Sequence, residues 1–506
     1  MKELAYKYHA DQKRKGKGNI PYIVHPEAVA ETLLQWGEKA DSPAIRIAWG
    51  HDLLEDTTVT ESEILNVSDE TVLSGIKMLT RQKGVDKREY MKAVAESGNR
   101  NVLLVKASDR ICNTRDFIAL KGHLYAYQYL HQADILYPSL KHFSDDPVIS
   151  KAVAAWDELE KSLQSRARHD AIRGCLLGGA VGDALGAPLE FLSEDYIKRK
   201  YGKKVSGYVE YGDDSGSITD DTQMTLFTAE GLLRANVRGR EKGICDPVSV
   251  MRFAYLRWLK TQGIQPDAPE DFINSGWLIN EPELFQRRAP GNTCLSSLES
   301  ENVPARNNSK GCGTVMRMAP VGLFFDAPED AYEYGCKYSA ITHGHSTGIT
   351  SGGAFAMLIA YLMQGKSLEE SLDLTEEYLR RIPAAMETFE AIRNARTAKD
   401  ISELGDGWVA EEALAIGIYC AIHYTWKFKS GVTAAVNIDG DSDSTGAIAG
   451  NILGVLNGEK AIPRQLRECL REYETVSQVA DDLFRKIECD GDDHVTERWW
   501  EKYPGF

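Results

Sequence analysis

The sequence predicts a mainly α-helical chain of two domains, on three observations. Its 506 residues, at roughly 100–200 per domain, allow two to four domains. Strand signals are sparse, the best apolar alternations being Val205–Tyr211 and Val432–Ile438, both short. Elsewhere apolar residues recur at helical spacing.

Composition narrows the class. Hydrophobic content of 43% and charged content of 26% are ordinary for a globular chain with large cores, and exclude a disordered, collagen-like or coiled-coil rod. The net charge of -16 excludes broad electrostatic capture of nucleic acid, which needs clustered Lys and Arg. A small anionic ligand stays open, because a metal ion inverts the local field. Nine cysteines without CxxC pairs argue against a disulfide framework and for a reducing, cytoplasmic setting. Met1–Leu4 lacks the apolar core of a signal peptide. No stretch of about 18 uncharged apolar residues is expected, hence no spanning helix and no membrane partner. The most apolar run, Gly174–Gly182, is short and is followed by Asp183.

Residues 1–165 read as helical, with few glycines outside the Lys15–Gly18 loop. Ala28, Val29, Thr32, Leu33 and Trp36 form one stripe, and Ile45, Ala48, Trp49 and Leu53 another. The charged join from Asp157 to Arg168 reads as a continuing helix. The second domain, 168–506, is Gly-rich. Gly174, Gly178, Gly182 and Gly186 recur every four residues, as do Gly446, Gly450 and Gly454. Each set shares a helix face. Glycine weakens a helix, so the repetition implies close approach of a backbone or a ligand, with tight helix packing alone an equal alternative. Arg464–Ile487 reads as one amphipathic helix before an acidic tail. Trp258, Trp277 and Trp426 are expected in the core, with Trp277 or Tyr211 as alternative stacking partners for adenine.

In the first domain His51-Asp52-Leu53-Leu54-Glu55-Asp56-Thr57 is the sharpest signal. On a helix Asp52, Glu55 and Asp56 share a face, and massed acids need a cation. A metal held by His51 and Asp52 would leave Glu55 or Asp56 for proton transfer. His25 and Asp109 are candidate further ligands from separate segments. The bland alternative is a solvated acidic helix end.

The order Lys13-Arg14, Pro21-Tyr22-Ile23-x-His25-Pro26, His51-Asp52-x-x-Glu55-Asp56, Lys106-x-x-Asp109-Arg110-x-x-Asn113 resembles the hydrolase domain of RelA/SpoT alarmone enzymes, within the HD superfamily. The resemblance implies one manganese ion on His25, His51, Asp52 and Asp109. It implies Glu55 and Asp56 positioning the attacking water, Asn113 at the sugar-phosphate, and Lys13 and Arg14 near base and phosphates. The implied reaction removes the 3′-pyrophosphate of a guanosine or adenosine alarmone. Lys106-Ala107-Ser108 departs from the apolar-Ala pattern usual before this Asp, and the Lys15–Asn19 loop is slightly long; both leave base preference open.

In the second domain two acidic segments each precede an apolar helix: Ser217-Ile218-Thr219-Asp220-Asp221-Thr222 and Asp439-Gly440-Asp441-Ser442-Asp443-Ser444-Thr445. Helix capping explains one acid and one hydroxyl in each, not the surplus. Oxygen-only donors from two segments suit hard ions and a two-metal centre. Together with Gly178-x-x-x-Gly182-Asp183-Ala184-Leu185-Gly186-x-x-x-Glu190, Gly311-Cys312-Gly313-Thr314-x-Met316-Arg317 and Thr342-His343-x-His345, these segments resemble the ADP-ribosylglycohydrolase family over about 300 residues. The resemblance implies an all-α domain with two Mg²⁺ on Thr219, Asp220, Asp221, Asp441, Asp443 and Ser444. It implies Glu190 near the anomeric carbon as gate or acid/base group, and substrate contacts from Asp183, Gly311, Cys312, Gly313, Thr314, Met316 and His345. His343 reads as a structural histidine, and Cys312 as a buried small hydrophobe.

The sequence therefore predicts a bifunctional cytoplasmic hydrolase. Its small-molecule partners are a nucleotide alarmone and an ADP-ribosylated substrate. An antitoxin role, with a toxin as partner, is the expected setting. The alternatives are one silent domain serving as nucleotide sensor or toxin-neutralising module, and a broader nucleotide phosphatase in the first domain.

Overall fold

No β-sheet forms among the described residues, and pairing is limited to isolated bridges such as Lys13–Pro21 and Gly311–Val409. The computed structural model describes residues 1–506 except Lys17 and 211–214. The far end of the basic loop at Lys17, the last residue of the Val205–Tyr211 alternation, and Tyr211 as an adenine partner lie outside the described residues. The chain divides into Met1–Ala167 and Arg168–Phe506. The helix Pro147–Gly186 includes the charged join.

In the first unit three helices place the chemistry. Val24–Trp36 carries His25 and buries Val29, Thr32, Leu33 and Trp36. Pro43–Gly50 starts at Ser42, whose hydroxyl accepts from Ile45 N at 3.3 Å, with Pro43 where its missing N–H costs nothing. It ends at His51. Arg100–Lys121 starts at Asn99, which accepts from Asn101 N and Val102 N, and carries Asp109. It is tied to Val24–Trp36 where Ser108 Oγ donates to Val29 O at 3.0 Å. The expected helix through Asp52, Glu55 and Asp56 is instead a turn at His51-Asp52 followed by the short helix Leu53–Asp56. Across the break Asp56 N still donates to Asp52 O at 2.9 Å, and Tyr22 contacts both carboxylates, so Asp52 and Asp56 keep a shared side.

In the second unit the two glycine stripes face one another. A Cβ on Gly174 would lie 2.4 Å from Gly454 O, on Gly178 2.3 Å from Gly450 O, and on Gly182 1.9 Å from Gly446 O. The partner left open by the sequence is therefore backbone. The contact runs the end of Pro147–Gly186 against Ser442–Asn457, bringing Asp183 and Asp443 to the same end.

Five expectations are corrected. Val432–Ile438 forms no strand; Val432, Ala435 and Val436 are buried at helical spacing in Phe428–Val436. Residues 205–210 are also without strand. Arg464–Ile487 is two helices, Arg464–Glu468 and Tyr473–Arg485. Between them Arg471 N donates to Gly216 O at 3.0 Å, and the buried Glu472 carboxylate accepts from Ile218 N at 3.4 Å; these tertiary bonds displace helical ones. Ser346–Met363 is an uncharged 18-residue helix of mean hydropathy 1.3, long and apolar enough to span a membrane, contrary to the expectation that no such run exists. Its early Ser, Thr and Gly residues hide it in the sequence, and 83% of it is buried within the protein. Trp258 is fully buried as expected, whereas Trp426 is 62% exposed. Trp277 is half-buried beneath the Lys502 ammonium.

Candidate functional site

The acidic segments of the second unit meet at one cavity. Thr219 caps the helix Asp220–Lys242, accepting from Asp221 N at 3.3 Å. Asp441 caps Ser442–Asn457, accepting from Ser444 N at 3.2 Å. Gly440 makes the turn before it at φ 126, where a Cβ would lie 2.2 Å from Asp406 O. Ser444 Oγ bridges the segments, 3.0 and 2.9 Å from the two oxygens of Asp221. Asp220 accepts from Gly291 N at 3.2 Å. Glu190, Asp220, Asp221, Asp441 and Asp443 line a cavity of about 290 Å³.

Electrostatically this cavity is built for cations. Burial and then Asp443 raise Asp220, Asp221 and Asp441 well above the carboxylate range, and burial raises Asp443 itself. Burial, then Asp443, Asp441, Asp220 and Asp183, push the Glu190 carboxyl up to about 10. Carboxylates that cannot all ionise alone do so around divalent ions, and an all-oxygen donor set suits hard ones.

Asp183 lies beneath, fully buried. It accepts from Thr219 N and Oγ1 at 3.0 and 2.9 Å, and from Thr222 N and Oγ1 at 3.1 and 2.5 Å. It thus anchors the start of Asp220–Lys242, a role its motif did not reveal. Gly311, Cys312, Gly313 and Met316 line the cavity. The loop spends several amides internally: Cys312 N donates to Trp408 O at 3.2 Å, and Val315 N and Met316 N to Cys312 O. Thr314 is fully buried. The Cys312 thiol donates to Asp441 Oδ2 at 2.8 Å. The two histidines occupy different places. His343 lines the cavity, and burial, then Arg317, lowers it to about 3, so it is neutral. His345 caps Ser346–Met363, its Nδ1 accepting from Thr347 N at 3.1 Å. Phe191 and Trp408, neither singled out by any motif, also line the cavity.

In the first unit His25, His51 and Asp52 offer ligand atoms within 4.8 Å of one another. Asp109 Oδ1 joins them, 3.1 Å from His25 Nε2 and 3.8 Å from His51 Nε2. His51 Nδ1 donates to Ala48 O at 2.7 Å, so Nε2 is left to bind; it is buried without a hydrogen-bond partner, 3.1 Å from Asp52 Oδ2. Burial alone would lower His51, but the charges of Asp52 and Asp109 outweigh it and push it up to about 9. Imidazole and carboxylate donors with an orphaned buried nitrogen fit a transition-metal ion.

Around this cluster, Asn113 Nδ2 donates to Asp109 Oδ1 at 2.6 Å and its Oδ1 accepts from Arg14 Nη2 at 2.9 Å. Lys13 Nζ reaches Asn19 Oδ1 at 2.8 Å. Glu55 accepts from Arg81 N at 3.0 Å. The Tyr22 hydroxyl, quoted in the sequence without a role, sits 2.8 Å from Asp52 Oδ2 and 3.1 Å from Asp56 Oδ2. Lys106 Nζ lies 3.0 Å from Asp109 Oδ2.

Known proteins resemble each unit separately. Residues 164–493 match the family model described as ADP-ribosylglycohydrolase. The ADP-ribosyl-[dinitrogen reductase] glycohydrolase of Rhodospirillum rubrum is 27% identical over 308 residues, 58% of this chain and 88% of that protein. The solved structure of an ADP-ribosylglycohydrolase-related protein complex is 25% identical with a TM-score of 0.50, covering 63% of this chain and 98% of that one. At the other end, the guanosine-3′,5′-bis(diphosphate) 3′-pyrophosphohydrolase MESH1 of Danio rerio is 34% identical over 116 residues, 22% of this chain and 64% of that protein, less than two thirds of its length.

Proposed function

The chain belongs to the ADP-ribosylglycohydrolase family and is a hydrolase, and on that premise we propose that it is bifunctional. The second unit cleaves the glycosidic bond at the distal ribose of an ADP-ribosylated substrate. The first removes the 3′-pyrophosphate of a guanosine or adenosine alarmone. The observation that carries the reading is the convergence of Asp220 and Asp221 with Asp441, Asp443 and Ser444 on one cavity beside Glu190.

Thr219, Asp220, Asp221, Asp441, Asp443 and Ser444 would hold two Mg²⁺, whose chemistry at such a site is charge neutralisation and the activation of water. The chain's own residues do the rest. Asp183 fixes Thr219 and the start of its helix. Ser444 locks the second segment to the first. The Gly311–Met316 loop bounds the nucleotide side. Glu190 would stand near the anomeric carbon as gate or acid/base group while the C1″ bond breaks with oxocarbenium character. Water adds to C1″, and its proton passes to the leaving atom.

In the first unit His25, His51, Asp52 and Asp109 would hold one Mn²⁺, which supplies Lewis acidity toward the phosphoryl group. Asp56, tied to Tyr22, and Glu55 orient the attacking water. Arg14 and Lys13 approach the nucleotide, with Asn113 at the sugar-phosphate. The support is the donor cluster and the likeness to MESH1. The reading includes a cytoplasmic setting, which nine cysteines without CxxC pairs support. Each reaction removes what a nucleotide-modifying toxin adds, which fits an antitoxin role. The test is release of ADP-ribose from an ADP-ribosylated protein and of pyrophosphate from a 3′-pyrophosphorylated nucleotide. Absence of both products with metal supplied refutes the proposal.

A further inference from the structure

His343 lines the second unit's cavity without a part in the chemistry proposed for it. Its ring is buried, and its two nitrogens stand in different surroundings. Nδ1 lies 2.8 Å from the Thr342 hydroxyl. Nε2 faces the glycine loop: a Cβ on Gly311 would lie 3.4 Å from it, and one on Gly313 3.6 Å. Both glycines line the cavity, and neither has a left-handed φ. What glycine supplies here is space beside the imidazole.

Which nitrogen carries the proton follows from Arg317. This guanidinium is fully buried, and its Nη2 lies 2.6 Å from Thr342 Oγ1. A guanidinium donates and never accepts, so Thr342 Oγ1 accepts from it. The hydroxyl proton is then left for one of two acceptors. Ser339 O is 3.5 Å away and already accepts from Thr342 N at 3.2 Å and His343 N at 3.1 Å. Nδ1, at 2.8 Å, is the closer. A nitrogen that accepts holds no proton, so in the neutral ring the proton sits on Nε2.

Among the described residues Arg317 has no carboxylate partner to account for its burial. Its Nη1 meets Cys294 Sγ at 3.3 Å and Met224 Sδ at 3.6 Å, its Nε is buried without a hydrogen-bond partner, and its Cζ lies 4.6 Å from the Tyr255 ring centroid. A buried cation without a counter-charge costs stability, so packing alone does not explain it. Toward His343 the charge has an effect: burial, then Arg317, lowers the imidazole to about 3 and keeps a second proton off it. The result is a neutral ring with its donor nitrogen beside the cavity-lining loop, matched to an oxygen of the ADP-ribosyl group.

Resting on the reading of this cavity as the ADP-ribosyl hydrolase site, we propose that Arg317, through the Thr342 hydroxyl, is a positioning residue that holds His343 as the Nε2–H tautomer, so that the imidazole binds substrate as a hydrogen-bond donor and takes no proton in the reaction. The test reads the tautomer by ¹⁵N NMR of the full chain labelled at histidine, with His343→Gln assigning the signal. The parent is expected to be protonated at Nε2 alone. Arg317→Met is expected to admit the Nδ1–H form, because Thr342 Oγ1 then has a lone pair free to accept that proton. With Mg²⁺ supplied, Kd for free ADP-ribose and KM for an ADP-ribosylated protein are expected to rise by the inverse of the remaining Nε2–H fraction, about threefold at a fraction of about one third, with kcat unchanged. Mg²⁺ affinity is expected to stay at the parental value, and Arg317→Lys, which keeps a donor, is expected to restore tautomer and KM together. Thr342→Val is the second variant, should Arg317→Met not melt cooperatively: its Nδ1 resonance is expected to move to that of a nitrogen accepting no hydrogen bond. A parent protonated at Nδ1, an Arg317→Met spectrum identical to the parent's, an unmoved Nδ1 resonance in Thr342→Val, or an affinity loss that does not follow the tautomer fraction each overturn the proposal. A parent that releases no ADP-ribose refutes the hydrolase reading instead, and the parent spectrum still decides the tautomer.

Discussion

Ser444 Oγ lies 2.9 Å from Asp221 Oδ2, joining segments 223 positions apart. Each residue sits in the first turn of a buried helix, and the contact closes the ring of oxygen donors around the cavity. Ser444 is only 2% exposed, so its hydroxyl is shielded from bulk water. Ser444→Ala leaves Asp221 without that donor and is expected to weaken Mg²⁺ binding roughly tenfold or more. Calorimetric titration with Mg²⁺ checks this, and undiminished affinity would remove Ser444 from the ligand set.

Gly182 and Gly446 set the distance between the helices that carry Asp183 and Asp443. A Cβ on Gly182 would lie 1.9 Å from Gly446 O, with backbone on the receiving side and no flexible side chain to yield. Gly182→Ala is expected to cost about 3 kcal/mol in urea unfolding, as overpacking does, and to lower Mg²⁺ affinity with it. Gly239, which has nothing within 4 Å of its added Cβ, is the control position, where Ala is expected to be neutral or stabilising.

Glu472 gives a pH dependence of stability. Burial raises its carboxyl to about 7, against the offsetting charge of Arg288 and the hydrogen bond from Ile218 N. The folded state holds the proton more tightly than the unfolded one, so the contribution is full below about 4.5 and is lost as pH rises through about 7. Glu472→Gln is expected to equal the parent near pH 4 and to exceed it at pH 8 by on the order of 2 kcal/mol. Denaturant midpoints at the two values measure it, and a variant less stable at pH 8 contradicts the sign.

Metal removal separates the first unit's cluster from a mere polar knot. A chelator is expected to lower the melting temperature and added Mn²⁺ to restore it, because binding to the folded form stabilises by mass action. In His51→Ala the Mn²⁺-dependent rise that belongs to this unit is expected to vanish. Paired titrations of His51→Ala and Asp443→Ala assign the remainder to the second unit.

Residue types and spacing carried much of the sites, because capping, acid clustering and glycine periodicity are local. The surplus of Asp220, Asp221, Asp441 and Asp443 over what caps need pointed to a shared acidic site, and they line one cavity. Gly182 and Gly446 were legible as close-approach positions, but not as each other's partners, since period alone names no neighbour. The interruption at Cys469–Glu472 depends on tertiary bonds to Gly216 and Ile218 that no window of sequence contains. Ser346–Met363 escaped notice because hydroxyls at Thr350 and Ser351, satisfied by Thr388 at 2.8 and 3.0 Å, read as polar. Phe191 and Trp408 are isolated aromatics 217 positions apart, and only the fold stacks them.

The most direct test of two separate metal-centred chemistries is a crossed assay of Asp52→Ala and Asp443→Ala in the full chain, on a 3′-pyrophosphorylated guanosine or adenosine nucleotide and on an ADP-ribosylated substrate. The account predicts that Asp52→Ala abolishes pyrophosphate release and spares ADP-ribose release, with the reverse for Asp443→Ala. Both activities surviving both substitutions, or each substitution abolishing both, would contradict it.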